Sequence, residues 1–223
     1  MSKFKVALVF IALSVINSCS DGQDEEINPR PIVNVNPSPG NGLTNTDFNI
    51  LFIGNSLTYY NNLPQLVIDA AKLKGVSVGT KMIAHGNYAL IDHWADGEVQ
   101  QEIATKKFNF VVVQQGPSSQ PWGREVLIEY GQKLKEICDQ NDAELCFFMV
   151  WPARSYYHTF DGVIRNYTDA AVANNAILCP VGSIWKNHFD STGNFDYYGP
   201  DGFHPSLIGS QVAAEVIVEA LFP

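Results

Sequence analysis

The sequence predicts a three-layer α/β/α domain built on a five-stranded parallel sheet. Three observations carry this. From residue 48 onward, short apolar runs alternate with longer amphipathic ones. The short runs are continuously apolar, the pattern of strands buried on both faces rather than on one. Strands that alternate in this way with helices form a parallel sheet with helices on each side.

Taken in order, the first strand is expected at 48–54 ("FNILFIG"), with Ile50 to Ile53 as its buried stretch. A helix follows at 62–74, then a strand at 76–83 and a helix at 96–106. The third strand is 108–115 ("FNFVVVQQ"), and the next helix is 124–141. In that helix Val126, Ile128, Tyr130, Leu134 and Ile137 fall at roughly helical spacing. The fourth strand is 144–151 ("ELCFFMVW"), followed by a helix at 160–174 and a fifth strand at 176–181. A last helix is expected at 206–221, with Pro205 marking its start. No internal repeat interrupts this order.

The 223 residues are 46% apolar and 17% charged, which suits one domain of ordinary size. The formal net charge is −9 and no basic run occurs, which argues against a nucleic-acid partner.

Residues 1–18 fall outside the domain. "MSKFK" is a short basic start and "VALVFIALSVI" an apolar run of signal-peptide length, too short to span a bilayer as a mature helix. "NSCS" then places Cys19 as in a bacterial lipoprotein signal, where the cysteine is lipidated and becomes the new N-terminus. Asn17 departs from the usual small residue two before that cysteine, and a plain secretory signal cut nearby is the alternative. The expected location is therefore the cell envelope, with a lipid at Cys19 as the membrane contact. Residues 19–47 are rich in Asp, Glu, Asn, Pro and Gly and read as a flexible tether. The folded domain would occupy 48–223. Cys138, Cys146 and Cys179 are odd in number, two of them inside apolar runs, which favours buried thiols over a disulfide framework. No zinc-ligand spacing occurs.

Ligands in such folds bind beyond the carboxyl ends of the strands. Ser56, Gly86, Gln115 and the loop after Trp151 all lie at that edge. In "ILFIGNSLTYY" the core strand breaks into Gly-Asn-Ser, either ordinary turn and capping chemistry or a turn that presents Ser56 as a nucleophile. A serine alcohol needs a base, and the base needs an acid to hold its tautomer. Asp201 and His204, three residues apart in "GPDGFHPS", could supply both from one loop. The same loop also reads as a surface turn with a capping Asp and a solvated His.

"FIGNSLT" followed far downstream by "DGFHPS" resembles the SGNH (GDSL-type) hydrolases, over about residues 48–221. The resemblance implies a flavodoxin-like sheet and the triad Ser56, His204 and Asp201. It also implies an oxyanion site that includes the backbone N–H of Gly86, in "IAHGNYALIDHW". His85 and His93 flank that glycine with no metal-like spacing, and packing or surface roles are expected for both. Two departures mark a divergent branch. Asn55 stands where the family has Asp, and "QQGPSSQ" stands where it has Gly-x-Asn-Asp. Gln115 and Ser118 are both candidates for the side-chain donor lost with that Asn, Gln115 being preferred.

The expected activity is ester hydrolysis through an acyl-enzyme, with the oxyanion held by the Ser56 N–H, the Gly86 N–H and the Gln115 amide. No metal or cofactor is required. Trp122, Trp151, Tyr156, Tyr157, Trp185, Tyr197 and Tyr198 fall in or near loops, and aromatic loops suit stacking on sugar rings. An acetyl group on a glycan is thus the expected substrate, a lipid ester or thioester the alternative. A glycan-binding surface lipoprotein without turnover is the rival class.

Overall fold

The computed structural model describes residues 46–223. The expected signal segment 1–18, Cys19 and all but the end of the 19–47 tether lie outside the described residues.

The chain enters the core at β1 (Phe48–Gly54), whose Ile50 to Ile53 are fully buried. A one-turn helix α1 (Ser56–Tyr59) and a 3-10 turn Tyr60–Asn62 lead into α2 (Leu63–Leu73), which carries Pro64 in its first turn. Then come β2 (Val78–Ala84), α3 (Leu90–Asp96), α4 (Glu98–Ile103) and β3 (Phe110–Val113). The long α5 (Pro121–Gln140) begins on a proline whose missing N–H costs nothing there. It is followed by β4 (Glu144–Phe148), a 3-10 segment Arg154–Thr159 and α6 (Phe160–Ala173). The chain closes with β5 (Ile177–Cys179), α7 (Val181–Thr192) and α8 (Leu207–Leu221). Ser206 caps α8, its hydroxyl oxygen accepting the Gly209 N–H at 3.0 Å.

All five strands are parallel, in the order β2-β1-β3-β4-β5. This is the expected flavodoxin-like sheet. α2 packs on α8 over one face, while α3, α4 and α6 pack around α5 over the other. The chain runs outward from β1 to β2 and then returns to the far side of β1. The strand order therefore reverses between β1 and β3, and a crevice opens where their carboxyl ends diverge.

The expected strands at 108–115, 144–151 and 176–181 are longer than the observed ones. Gln114, Gln115 and Met149 to Trp151 are nonetheless buried. These residues are buried at the sheet's carboxyl edge without strand pairing. Besides the one-turn α1, two helices were not expected. α3 lies in what reads as loop, and α7 holds Trp185. The buried Val181, Trp185 and Phe189 of α7 recur every fourth residue, a helical signal hidden by the Gly and Asn around it. Trp151 and Trp185 are core residues, fully buried and stacked with ring centroids 3.5 Å apart and planes at 13°. Tyr198 is also buried, so these three do not line a site as expected. Cys138, Cys146 and Cys179 are free thiols inside the core. Among the described residues no helix is long and apolar enough to cross a membrane.

α5 approaches the sheet through Gly131. A methyl group there would lie 2.6 Å from the Phe147 ring and 2.8 Å from the Asn174 amide. Gly131→Ala gains up to about 1 kcal/mol of helix propensity but overpacks a contact that cannot open, which typically costs about 1–3 kcal/mol. We expect a net loss, read as a lower urea midpoint. A midpoint at or above that of the parent would mean that α5 can move away from β4 freely.

Candidate active site

β1 ends at Gly54 and the chain enters α1 within a single residue. Asn55 is that residue, extended at φ −130° and ψ −151°, and it caps the helix. Its Oδ1 accepts the Leu57 N–H at 3.1 Å, its Nδ2 donates to the Tyr88 carbonyl at 2.9 Å, and its N–H donates to Gln114 Oε1 at 3.0 Å. The same Gln114 oxygen accepts the Thr58 hydroxyl at 2.8 Å. Gly54 has no room for a side chain, since a Cβ would stand 2.2 Å from Thr58 Oγ1 and 2.6 Å from Gln114 Oε1. The turn is thus built from side-chain hydrogen bonds around a glycine, and it puts Ser56 at the first position of α1. The Ser56 N–H there has no intrahelical acceptor.

His204 reaches Ser56 from the other end of the chain. Its Nε2 is 3.0 Å from Ser56 Oγ and its Nδ1 is 2.6 Å from Asp201 Oδ2. With Nδ1–H donating to the carboxylate, Nε2 is left to accept the serine proton. Asp201 Oδ1 accepts the N–H groups of Phe203 and His204, both at 2.9 Å. Burial alone pushes the Asp201 carboxyl up, but these hydrogen bonds and the imidazole outweigh it and hold it below its ordinary range. The loop is pinned to the core by the Trp151 indole, which donates to the Phe203 carbonyl at 3.0 Å. The Gly199 N–H also donates to the His204 carbonyl at 2.7 Å.

Ser56 opens on a cleft of about 280 Å³, lined also by Tyr88, Gln115, Ser118, Trp122 and Phe203. Gln115 is held at both ends. Tyr167, a fully buried phenol whose pKa burial pushes up, accepts the Gln115 N–H at 3.1 Å and donates to its carbonyl at 2.6 Å. The side-chain Nε2 donates to the Gly123 carbonyl at 3.1 Å, and Oε1 accepts the Leu90 N–H at 3.4 Å. One amide hydrogen of Gln115 is therefore committed and the second is not. Ser118 Oγ accepts the Gln120 N–H at 3.2 Å. Gly86 is exposed and stands just outside the lining, next to the lining residue Asn87; its N–H has no acceptor among the described residues.

Sequence reasoning brought Ser56, His204 and Asp201 to one place, and the structure joins them as one hydrogen-bonded chain. Of the seven expected aromatics only Trp122 lines the cleft, 64% exposed. His85 is exposed. His93 is buried with Nε2 2.8 Å from the Gly54 carbonyl, and burial lowers its pKa, so it is a neutral donor behind the turn. Gln114, Tyr88 and Tyr167 were missed. Two glutamines ending an apolar strand are the signal for the first, because a buried polar pair must find partners. Tyr88 acts through its main-chain carbonyl and leaves no trace in residue type. Among the described residues no three His, Cys, Asp or Glu side chains converge as metal ligands.

No family model and no curated protein matches the chain. Solved structures do. A protein assigned as an SGNH hydrolase from Slackia heliotrinireducens is 24% identical over 78% of this chain and 98% of its own, with a TM-score of 0.65. An acetylxylan esterase from Geobacillus stearothermophilus is 15% identical over 80% and 95%, at a TM-score of 0.61. A lipase/acylhydrolase from Enterococcus faecalis is 16% identical over 77% and 94%, also at 0.61. The chain has the SGNH-hydrolase fold.

The depressed Asp201 pKa has a consequence for stability. Its contribution is whole above the unfolded carboxyl value near 3.8 and is lost as pH falls through the lower folded value. Asp201→Asn should therefore flatten the fall in stability below about pH 4 in urea titrations. Parallel curves for parent and variant would mean that the carboxylate is not favoured by folding.

Proposed function

We propose that this chain is a divergent SGNH-type serine hydrolase that cleaves a carboxylic ester through an acyl-enzyme. The observation that carries this reading is the chain of hydrogen bonds from Ser56 Oγ to His204 at 3.0 Å and from His204 to Asp201 at 2.6 Å. Ser56 Oγ attacks the ester carbonyl as its proton passes to His204 Nε2, and Asp201 steadies the imidazolium. The tetrahedral intermediate collapses when His204 returns that proton to the leaving alkoxide. A water molecule, activated by the same imidazole, then frees the acid.

The oxyanion is assigned to the Ser56 N–H, the Gly86 N–H and the second amide hydrogen of Gln115. What supports Gln115 over Ser118 is its fixation. A donor locked by Tyr167, Gly123 and Leu90 needs no reorganisation as charge develops, and this is where oxyanion donors gain their effect. Asn55 keeps the turn without a charge, because its amide both accepts from Leu57 and donates to Tyr88, which an Asp carboxylate could not do.

For substrate we assign an acetyl group on a glycan. The exposed Trp122 on the rim offers a flat apolar face to a sugar ring, and the acetylxylan esterase neighbour is consistent with this choice. A cell-envelope location with a lipid at Cys19 belongs to the same proposal and rests on the N-terminal sequence alone.

Ser56→Ala should lose at least about three decades of ester turnover while staying folded, together with labelling by a serine-directed fluorophosphonate. A folded variant with near-parental turnover would remove the mechanism, and a parent that binds glycan without labelling would place the protein among binding modules. Gln115→Ala should lower kcat by about 10²–10³ with little change in KM, and Ser118→Ala should be mild. The opposite ranking would transfer the donor role to Ser118.

Trp122→Ala should raise KM for an acetylated oligosaccharide by about tenfold and leave p-nitrophenyl acetate hydrolysis unchanged, since the small ester has no ring to stack. Equal loss on both esters would argue against a sugar platform.

A further inference from the structure

The turn between α1 and α2 has no part in the mechanism above, yet it reaches the base twice. The Tyr60 ring lies flat on the His204 imidazole, with centroids 4.5 Å apart and planes at 17°. The next residue, Asn61, donates its Nδ2 to the Pro205 carbonyl at 3.0 Å, directly after His204, and to Ser210 Oγ on α8 at 2.9 Å. Two neighbouring side chains thus hold the face of the base and the chain that follows it.

The backbone of this turn is unusual. Asn61 (φ 53°, ψ 20°) and Asn62 (φ 54°, ψ 53°) are consecutive left-handed residues, a conformation that asparagine tolerates better than most but that still persists only where its surroundings hold it. The pair of hydrogen bonds from Asn61 is such a restraint. The strain is kept where it serves the His204 loop.

His204 needs this support. Its bond to Asp201 restrains one ring nitrogen, but the second torsion of histidine is intrinsically broad. A swing about that torsion displaces both ring nitrogens, and it carries Nε2 off Ser56. Phe203 meets the imidazole only at an angle, with centroids 5.1 Å apart and planes at 67°. The parallel face of Tyr60 is the contact that opposes rotation out of plane. Tyr60 and Asn61 also belong to the same short segment as Ser56, so the base is located against the nucleophile itself and not only against the sheet.

We propose that Tyr60 and Asn61 are positioning residues that hold His204 on Ser56, Tyr60 by fixing the ring plane and Asn61 by anchoring the following carbonyl. This rests on the Ser56–His204–Asp201 reading above. Neither residue is assigned a contact with substrate, so the effect falls on kcat.

The test uses p-nitrophenyl acetate hydrolysis by the parent and by Ser56→Ala, Tyr60→Leu, Tyr60→Phe and Asn61→Gly. Glycine keeps the left-handed backbone and removes only the amide. Tyr60→Leu and Asn61→Gly should each lower kcat by about 10–10² with KM within about twofold of the parent. Tyr60→Phe should retain parental kcat, because the flat face remains. The Tyr60→Leu/Asn61→Gly double variant should lose less than the product of the single effects, as residues acting on one group do. Independently of turnover, the His204 ring resonances in NMR spectra, assigned by their loss in His204→Ala, should move in Tyr60→Leu and stay in place in Tyr60→Phe. Parental kcat in both Tyr60→Leu and Asn61→Gly, with Ser56→Ala inactive, overturns the clamp and leaves the triad standing. Equal losses in Tyr60→Phe and Tyr60→Leu overturn the stacking role. Parental turnover by Ser56→Ala overturns the triad reading and the clamp with it.

Discussion

The arrangement of this site depends on the hydrogen bond from the Asn55 N–H to the side-chain oxygen of Gln114 at 3.0 Å. It links the ends of β1 and β3, the adjacent strands between which the strand order reverses. The helices that follow these strands leave for opposite faces of the sheet, so the ends diverge and their backbone groups lose sheet partners. Gln114 supplies the missing acceptor. Its oxygen serves Asn55 and Thr58 together, so the turn carrying Ser56 is fastened to β3 and, through the next residue, to Gln115. The proposed nucleophile and the proposed oxyanion donor thereby share one origin.

The supports behind the site divide in the same way. On the nucleophile side the restraints are polar and local: Asn55 to Tyr88 and Leu57, and His93 to the Gly54 carbonyl. On the side of the base the restraint comes from the core. The Trp151–Trp185 stack cannot shift without opening a large cavity, and the Trp151 indole carries that rigidity to the Phe203 carbonyl. Ordering a catalytic pair is cheapest when each partner is fixed before they meet.

Much of this was legible in the sequence because it is written in residue type and spacing. β1 was expected at 48–54 and occurs as Phe48–Gly54, since an uninterrupted apolar run ending in Gly-Asn-Ser has few other solutions. The Ser56, Asp201 and His204 positions followed from two short motifs at the correct sheet edge. What stayed hidden depends on three-dimensional neighbours. Trp151 and Trp185 look like loop aromatics until α7 brings them face to face. Gln114 and Gln115 are identical in composition, yet one holds the nucleophile turn and the other faces the cleft. The sequence Tyr60-Asn61 gives no sign that it touches a histidine more than 140 positions away, because a left-handed asparagine pair is a property of the folded turn.

The three core cysteines carry a consequence of a different kind. Burial pushes the Cys138 and Cys179 thiols up to about 12 and Cys146 well above its ordinary value. Thiolate is the species that attacks a disulfide, so burial keeps these thiols in their unreactive protonated form at neutral pH. Burial thus shields these three thiols in the folded domain, while unfolding returns all three to ordinary thiols. In any oxidising medium folding is a race between collapse and mispairing, decided by how soon β4 and β5 close over Cys146 and Cys179.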